Sequence, residues 1–390
     1  MLKPTLSAAE VSALQKKIDQ AKNIVIICHK SPDGDALGSS LALWEWLRTK
    51  DKNVTVIVPN LFPDFLRWMN GADKVLIYDV KNENHRENRE RGNMLIAAAD
   101  LIFSLDHQSL PRTNPLDYPR RRFRGDSVMI DHHENPDPNY CKMVISRPKM
   151  SSTCELLYRI FEQLGVADSL PLHACEDIYA GMCTDTGRFS YSSNDPEIFL
   201  IIAALLKRGV NKDLIIRNLF NQNTEGRYRL MGYAFSQKLV VRHDLHASYF
   251  SLTREELKNF HYKKGDAEGI VNMPLEIAGQ KLSISLRDDT DAPDVCVSLR
   301  CFDEVRGDLI CNRYFHGGGH ISAAGGRLAG REMPYAVARV EAVLELLRPY
   351  LLGETPWPET AEGLPELPEE PLAAPQGEPK AAEGGTKAAE

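Results

Sequence analysis

The sequence predicts an α/β protein of two domains: a first domain on a largely parallel sheet, joined by a helical linker to a smaller α/β domain. Three observations carry this. The chain has 390 residues, beyond the roughly 250–300 at which a single hydrophobic core stops growing. Short apolar runs alternate with helical patterns through the first half, the signature of βαβ units. Further strand-like runs begin only at residue 246, after a long helical stretch.

In chain order, the first strands are NIVIICH (23–29), NVTVIVP (53–59), KVLIYD (74–79), DLIFSLDH (100–107) and SVMIDHH (127–133). Between the first two, DALGSSLALWEWLRTK (35–50) has helix-forming composition and length. The polar KNENHRENRERGN (81–93) reads as a solvated helix or loop, and RRRFRG (120–125) as a basic cluster, either plain surface or a phosphate contact. SSTCELLYRIFEQLG (151–165) is a helix with Ser/Thr at its start and Gly165 as its stop. From about residue 212 to 240 the chain reads as helical, and HASYFSL (246–252), KLSISLRDD (281–289) and DVCVSLRC (294–301) then build the second sheet. Beyond Gly353 the chain is rich in Pro, Glu, Ala and Gly, a composition that buries too little surface to offset ordering entropy. The divisions are therefore 1–222, a linker helix 223–242, 243–352, and a disordered acidic, Pro-rich tail 353–390.

The net charge of −7 resides in that tail, where nine acids face two lysines after Gly353. The remainder carries no basic field of the kind that long nucleic acid requires, which points to small or short anionic substrates. Eight cysteines are scattered without a C-x-x-C pair, the pattern of reduced thiols rather than of a disulfide framework or a zinc knuckle. No signal-peptide pattern and no run of about 18 apolar residues occurs, so a cytoplasmic protein without membrane partners is expected. A homodimer is allowed for, on no residue-level argument.

Three of the strands run directly into metal-ligand residue types: His29; Asp106 and His107; Asp131, His132 and His133. In open parallel sheets the crevice outside the carboxyl ends of the strands is where ligands bind. After His29, KSPDGDALGSS places Asp33 and Asp35 on a turn made by Pro32 and Gly34, and GMCTDTGRFSY places Asp185 on another glycine-bordered turn. A lone Asp at a strand end ordinarily caps a helix, and a lone His ordinarily makes a structural hydrogen bond. The joint arrangement is different, because carboxylates converging on one edge repel unless cations neutralise them. Imidazole and carboxylate ligands without cysteine suit Mn²⁺ better than Zn²⁺ or Ca²⁺, with Mg²⁺ or Co²⁺ as substitutes. Two such ions, about 3.5–4 Å apart and bridged by one Asp, would clamp the oxygens of an in-line displacement at phosphorus.

In the later half, NRYFHGGGHISAAGG (312–326) sets three glycines before His320. Such a run is either a flexible turn or a backbone that approaches an anion closely. Arg300, in SLR (298–300), can grip phosphate as a bidentate fork or stand as an ordinary strand arginine.

HKSPDGDALGS, LDH, IDHH, TDTGRFSY and GGGHISAAGG, in this order, resemble the DHH/DHHA1 phosphoesterases, most closely the bacterial nano-RNase/pAp phosphatase type, over about residues 10–350. The resemblance implies a Rossmann-like DHH domain and a DHHA1 substrate-binding domain. It implies one metal on His29, Asp33 and Asp106, and a second on Asp35, Asp106, His132 and Asp185, with Asp106 bridging. Asp131 would orient an imidazole from behind the ligands, and His133 would face the substrate and serve the leaving oxygen. Arg300 and His320, with the backbone of Gly317, Gly318 and Gly319, would hold the nucleotide. Two departures stand out: Cys301 where a hydroxyl is common, and His316 where another glycine is often found. They bear on substrate preference rather than on the metal ligands.

The resulting expectation is a two-Mn²⁺ phosphoesterase that trims short single-stranded RNA to mononucleotides and hydrolyses pAp to AMP. Alternatives are a cyclic-dinucleotide or linear pNpN phosphodiesterase, an exopolyphosphatase, or a catalytically silent nucleotide-binding regulator.

Overall fold

The computed structural model of the protein describes residues 2–79, 82–221, 223–302 and 305–367. They fall into two compact units, Met1–Gln222 and Asn223–Glu390.

In the first unit, β1 (Asn23–Ile27), β2 (Asn53–Asn60), β3 (Leu76–Asp79), β4 (Leu101–Leu105), β5 (Asp126–Asp131) and β6 (Met143–Ser146) form one parallel sheet in the order β3-β2-β1-β4-β5-β6. This is a Rossmann-like order, and it reverses between β1 and β4, where a crevice opens at the strands' carboxyl ends. The continuous apolar run of β1 follows from burial on both faces: Ile24 and Ile26 enter one core cluster, Val25 and Ile27 the opposite one. The helices are α1 (Ala8–Gln20), α2 (Gly34–Arg48), α3 (His85–Ala98), α4 (Asp117–Arg122), α5 (Thr153–Gln163), α6 (Leu172–Asp185), α7 (Pro196–Lys207) and α8 (Lys212–Phe220).

Helix α2 is capped by Asp33 and buried on nearly every side. It lies antiparallel to α6 at a separation that glycine alone permits. A Cβ on Gly38 would stand 2.6 Å from the Asp177 carbonyl oxygen, one on Gly34 2.5 Å from the Thr184 side chain, and one on Gly181 2.9 Å from Asp35 Oδ1.

Several local expectations change. Lys74 belongs to a 3-10 turn, Ala72–Lys74, and β3 starts after it. The polar stretch is helical from His85 onward, while its first residue, 81, lies outside the described residues. Within the basic cluster Arg120 is a core residue: its guanidinium lies 5.0 Å from the Tyr140 ring centroid and its Nη2 reaches Cys141 Sγ at 3.2 Å. Strand β6 was not anticipated.

In the second unit, β7 (Val240–Arg242), β8 (Ala247–Leu252), β9 (Leu282–Asp288), β10 (Val295–Cys301), β11 (Gly318–Gly319) and β12 (Ala323–Leu328) follow the order β11-β12-β10-β9-β8-β7, antiparallel except between β8 and β9. Its helices are α9 (Glu225–Tyr233), α10 (Arg254–Asn259), α11 (Gly307–Phe315), α12 (Met333–Leu346) and the short α13 (Arg348–Leu351). Ile284, Val297 and Leu299 pack with Ile310, Tyr314, Val340 and Val343 on one sheet face.

The stretch read as a linker helix packs with this unit, Leu230 and Ala234 sharing a cluster with Phe250, Leu252 and Leu257, and its last residues form β7. The tail is ordered well past Gly353. Ala361 and Leu364 are buried, Trp357 and Leu367 pack on the same core, and Tyr314 donates its hydroxyl to the Pro365 carbonyl at 2.8 Å. A few apolar anchors suffice to order a segment that average composition assigns to solvent. Residues 368–390 lie outside the described residues. Among the described residues no helix is long and apolar enough to cross a membrane.

Candidate metal centre

The centre lies at the carboxyl ends of β1, β4 and β5, on the switch point of the first unit's sheet. His29 follows β1 and is buried. Its Nδ1 donates to the Lys30 carbonyl at 2.9 Å, which turns Nε2 toward Asp106 Oδ2 at 3.3 Å and Asp33 Oδ2 at 3.7 Å. Asp33 uses its other oxygen to cap α2, accepting from the amides of Asp35 at 3.1 Å and Ala36 at 3.0 Å. Its two oxygens are thus divided, Oδ1 capping the helix and Oδ2 facing His29.

Asp106 follows β4 with φ +58°, the left-handed region, and its N–H donates to the Ile130 carbonyl at 3.1 Å. This backbone costs about 1–2 kcal/mol and turns the carboxylate into the middle of the constellation. Oδ2 faces His29; Oδ1 lies 3.5 Å from His132 Nε2 and 3.7 Å from His133 Nδ1. His132, held by Nδ1 against the Met150 carbonyl at 3.2 Å, also places Nε2 3.2 Å from Asp185 Oδ2 and 4.0 Å from Asp35 Oδ2. Asp185 is the last residue of α6 rather than part of a turn. The ligand atoms of His29, Asp33 and Asp106 lie within 4.8 Å of one another, and so do those of Asp35, Asp106 and His132.

The electrostatics describe a site with excess negative charge. Burial pushes the Asp35 carboxyl well up, reinforced by the charges of Asp185 and Asp106. Burial likewise pushes Asp185 up to about 6, against the hydrogen bond from His132. For Asp106 burial acts upward too, but the His29 hydrogen bond and the three nearby imidazoles hold it well below the carboxylate range. Burial would lower His29, yet Asp106 and Asp33 lift it to about 10. Lacking a cation, the cluster gathers protons; a divalent ion among neutral imidazoles and carboxylates would release them. The donor set is all nitrogen and oxygen, the eight cysteines are free thiols, and none contributes to the clusters. These residues fit hard or borderline divalent ions.

His107 turns away from this set. Its Nδ1 meets the Leu105 carbonyl at 2.7 Å and its Nε2 the Tyr140 hydroxyl at 2.9 Å, and burial takes its pKa down to about 3. It is a neutral structural histidine. Asp131 is fully buried and directed at His133: Oδ1 is 2.8 Å from His133 Nδ1, and Oδ2 accepts the His133 amide at 3.2 Å. The acid therefore orients His133 and leaves His132 to Met150.

Sequence reading missed Thr153. It stands at the start of α5, where a hydroxyl reads as a helix-start signal and nothing more, yet its Oγ1 donates to Asp106 Oδ1 at 3.0 Å.

The remaining candidates belong to the second unit. Arg300 pairs with Ala323, and Ala323 exchanges backbone hydrogen bonds of 2.9 and 3.3 Å with His320, so Arg300 and His320 share one sheet face two strands apart. The glycines have a structural cause of their own. A Cβ on Gly317 would meet the Gly325 carbonyl at 1.9 Å, and Gly319 adopts φ +145°. His316 takes the left-handed position that ends α11, where glycine carries no penalty. Cys301 Sγ lies 3.3 Å from the Val305 carbonyl and 3.2 Å from that of Ile321, beneath the turn that follows His320.

A family pattern described as the DHH family, N-terminal domain, matches residues 23–182. The chain is 28% identical over 328 residues to the bifunctional oligoribonuclease and PAP phosphatase NrnA of Thermus thermophilus, covering 83% of this chain and 90% of that protein. It is 21% identical over 349 residues to the cyclic-di-AMP phosphodiesterase GdpP of Bacillus subtilis, covering 85% of this chain and 49% of that one. Among solved structures, an exopolyphosphatase-related protein from Bacteroides fragilis is 41% identical with a TM-score of 0.84, covering 90% of this chain and 100% of the other.

Proposed function

This chain belongs to the DHH family, and from that premise we propose that it is a Mn²⁺-dependent phosphoesterase that cleaves short oligoribonucleotides to mononucleotides and hydrolyses pAp to AMP. One observation carries the reading: the two oxygens of Asp106 face different imidazoles, Oδ2 toward His29 at 3.3 Å and Oδ1 toward His132 at 3.5 Å, each with a further carboxylate alongside. In this reading His29, Asp33 and Asp106 hold one ion, and Asp35, Asp106, His132 and Asp185 hold the second. Bound there, the ions supply Lewis acidity at phosphorus and offset charge developing on the phosphoryl oxygens.

The chain's own groups do the rest. Asp131 fixes Nδ1 of His133 as the protonated nitrogen, which gives Nε2 the proton traffic at the leaving oxygen. In the second unit Arg300 grips a terminal phosphate, and the sheet face it shares with His320 receives the nucleotide. The near-neutral charge of residues 1–353 favours substrates of a few units over long nucleic acid.

Similarity to the cyclic-di-AMP phosphodiesterase over most of the chain supports a second reading, cleavage of a cyclic dinucleotide. The test is turnover of an RNA dinucleotide, pAp, cyclic di-AMP and polyphosphate side by side, with Mn²⁺ and metal-free, for the wild type and Asp106→Ala. Mononucleotide release from the dinucleotide, lost in the folded variant, is expected. Silence on the dinucleotide and pAp with turnover of cyclic di-AMP would transfer the conclusion to the second reading; an active Asp106→Ala would remove the bridging carboxylate.

A further inference from the structure

The start of α5 makes three hydrogen bonds to the metal centre's carboxylates. The amides of Thr153 and Cys154 are the first two of the helix, groups that lack partners within it. They donate to opposite oxygens of Asp35, Thr153 N to Oδ2 at 2.6 Å and Cys154 N to Oδ1 at 2.8 Å. The Thr153 hydroxyl meanwhile donates to Asp106 Oδ1 at 3.0 Å. Asp35 and Asp106 are 71 positions apart in sequence, yet this one residue holds both.

The consequence falls on one side of the centre. Asp106 Oδ1, the oxygen that faces His132 and Asp35, has one lone pair taken by Thr153, while Oδ2, the oxygen that faces His29, does not touch Thr153. Thr153 is fully buried and its hydroxyl is already committed to Asp106 Oδ1, so the hydroxyl direction is set by that bond and by the packing around it. We infer that Thr153 is a positioning residue for the second ion alone: it sets the angle between the Asp35 and Asp106 carboxylates through its amide and hydroxyl. This rests on the ligand assignment proposed above.

The test is calorimetric titration of the metal-free full-length protein with Mn²⁺, for wild type, Thr153→Val and Thr153→Ser, with a melting curve for each and the spin–spin coupling of the loaded protein read by electron paramagnetic resonance. Valine keeps the shape and the amide and deletes the hydroxyl; serine restores the hydroxyl. Thr153→Val is expected to weaken one of two Mn²⁺ ions by roughly 10–100-fold, the range typical of groups that orient ligands, with the other ion unchanged and the coupled signal lost. Thr153→Ser is expected to regain both. The inference is overturned if Thr153→Val binds both ions as the wild type does, if both ions weaken equally, or if serine fails as valine fails, which would make packing the cause. A wild type that binds no Mn²⁺ would overturn the ligand assignment itself, and the inference with it.

Discussion

Asp177 sits on α6, about two turns before Asp185, 1% exposed, and neither of its carboxylate oxygens has a hydrogen-bond partner. Burial, with the charges of Glu45 and Glu176, pushes its pKa well up. The fold therefore favours the protonated acid at a position where a small apolar side chain would do. Asp177→Ala removes an orphaned polar group worth about 1–3 kcal/mol and leaves a cavity on the order of 20 Å³, costing about 0.5 kcal/mol. The sign of the pH effect follows from the raised folded value. The native state keeps the proton and the unfolded chain releases it above about pH 4. Wild-type stability from this group is thus fully present below the unfolded pKa and falls by about 1.4 kcal/mol per pH unit until the folded pKa is reached. Asp177→Ala escapes that slope. Urea denaturation of both proteins with saturating Mn²⁺ at pH 4.5, 5.5, 6.5 and 7.5 measures the difference, from which the pH dependence of the shared metal ligands cancels. The variant should be more stable by about 1 kcal/mol at the lowest pH, by a margin that widens as the pH rises toward the folded pKa of Asp177, and unchanged in turnover. A gap that stays flat with pH, or a variant less stable throughout, would refute the reasoning.

Two further outcomes follow from the second unit. A chain stopped after Gly353 loses the anchors Ala361 and Leu364, and Leu364→Ala alone should cost about 2–5 kcal/mol, read as a lower melting temperature. Arg300→Lys keeps the charge but not the fork, so KM for a 5′-phosphorylated dinucleotide should rise about 10-fold or more, the worth of one charge-assisted hydrogen bond, with kcat spared; an unchanged KM would detach Arg300 from substrate.

How much was legible depended on whether an element's cause was local. Parallel strands buried on both faces must be apolar throughout, so β1, β4 and β5 announced themselves and their ends pointed to His29, Asp106 and His132. The hairpin glycines were visible, but the reason for them, a second glycine-rich strand pressed against Gly317, was not. His107 and His133 look alike in sequence; only Tyr140, 33 residues beyond His107, and Asp131 tell them apart. Thr153 reads as a helix start because its partner Asp106 is 47 residues away. Asp177 drew no notice in the sequence, since an acid in a helix usually faces solvent. The tail misled because a mean over Pro and Glu hides Trp357, Ala361 and Leu364.

The glycine contact between α2 and α6 sets the spacing of two of the proposed ligands. Asp35 rides on one helix and Asp185 on the other, and with Gly38 and Gly181 already at backbone contact the helices have no room to close further. An ion smaller than the gap therefore has to be met by carboxylates turning about their own bonds, and the Asp35 carboxylate is bonded through both oxygens to α5. Preference by ionic radius would then be written into a helix spacing rather than into any ligand, and residues that touch no metal, Gly38 and Gly181, would be where substitution alters it.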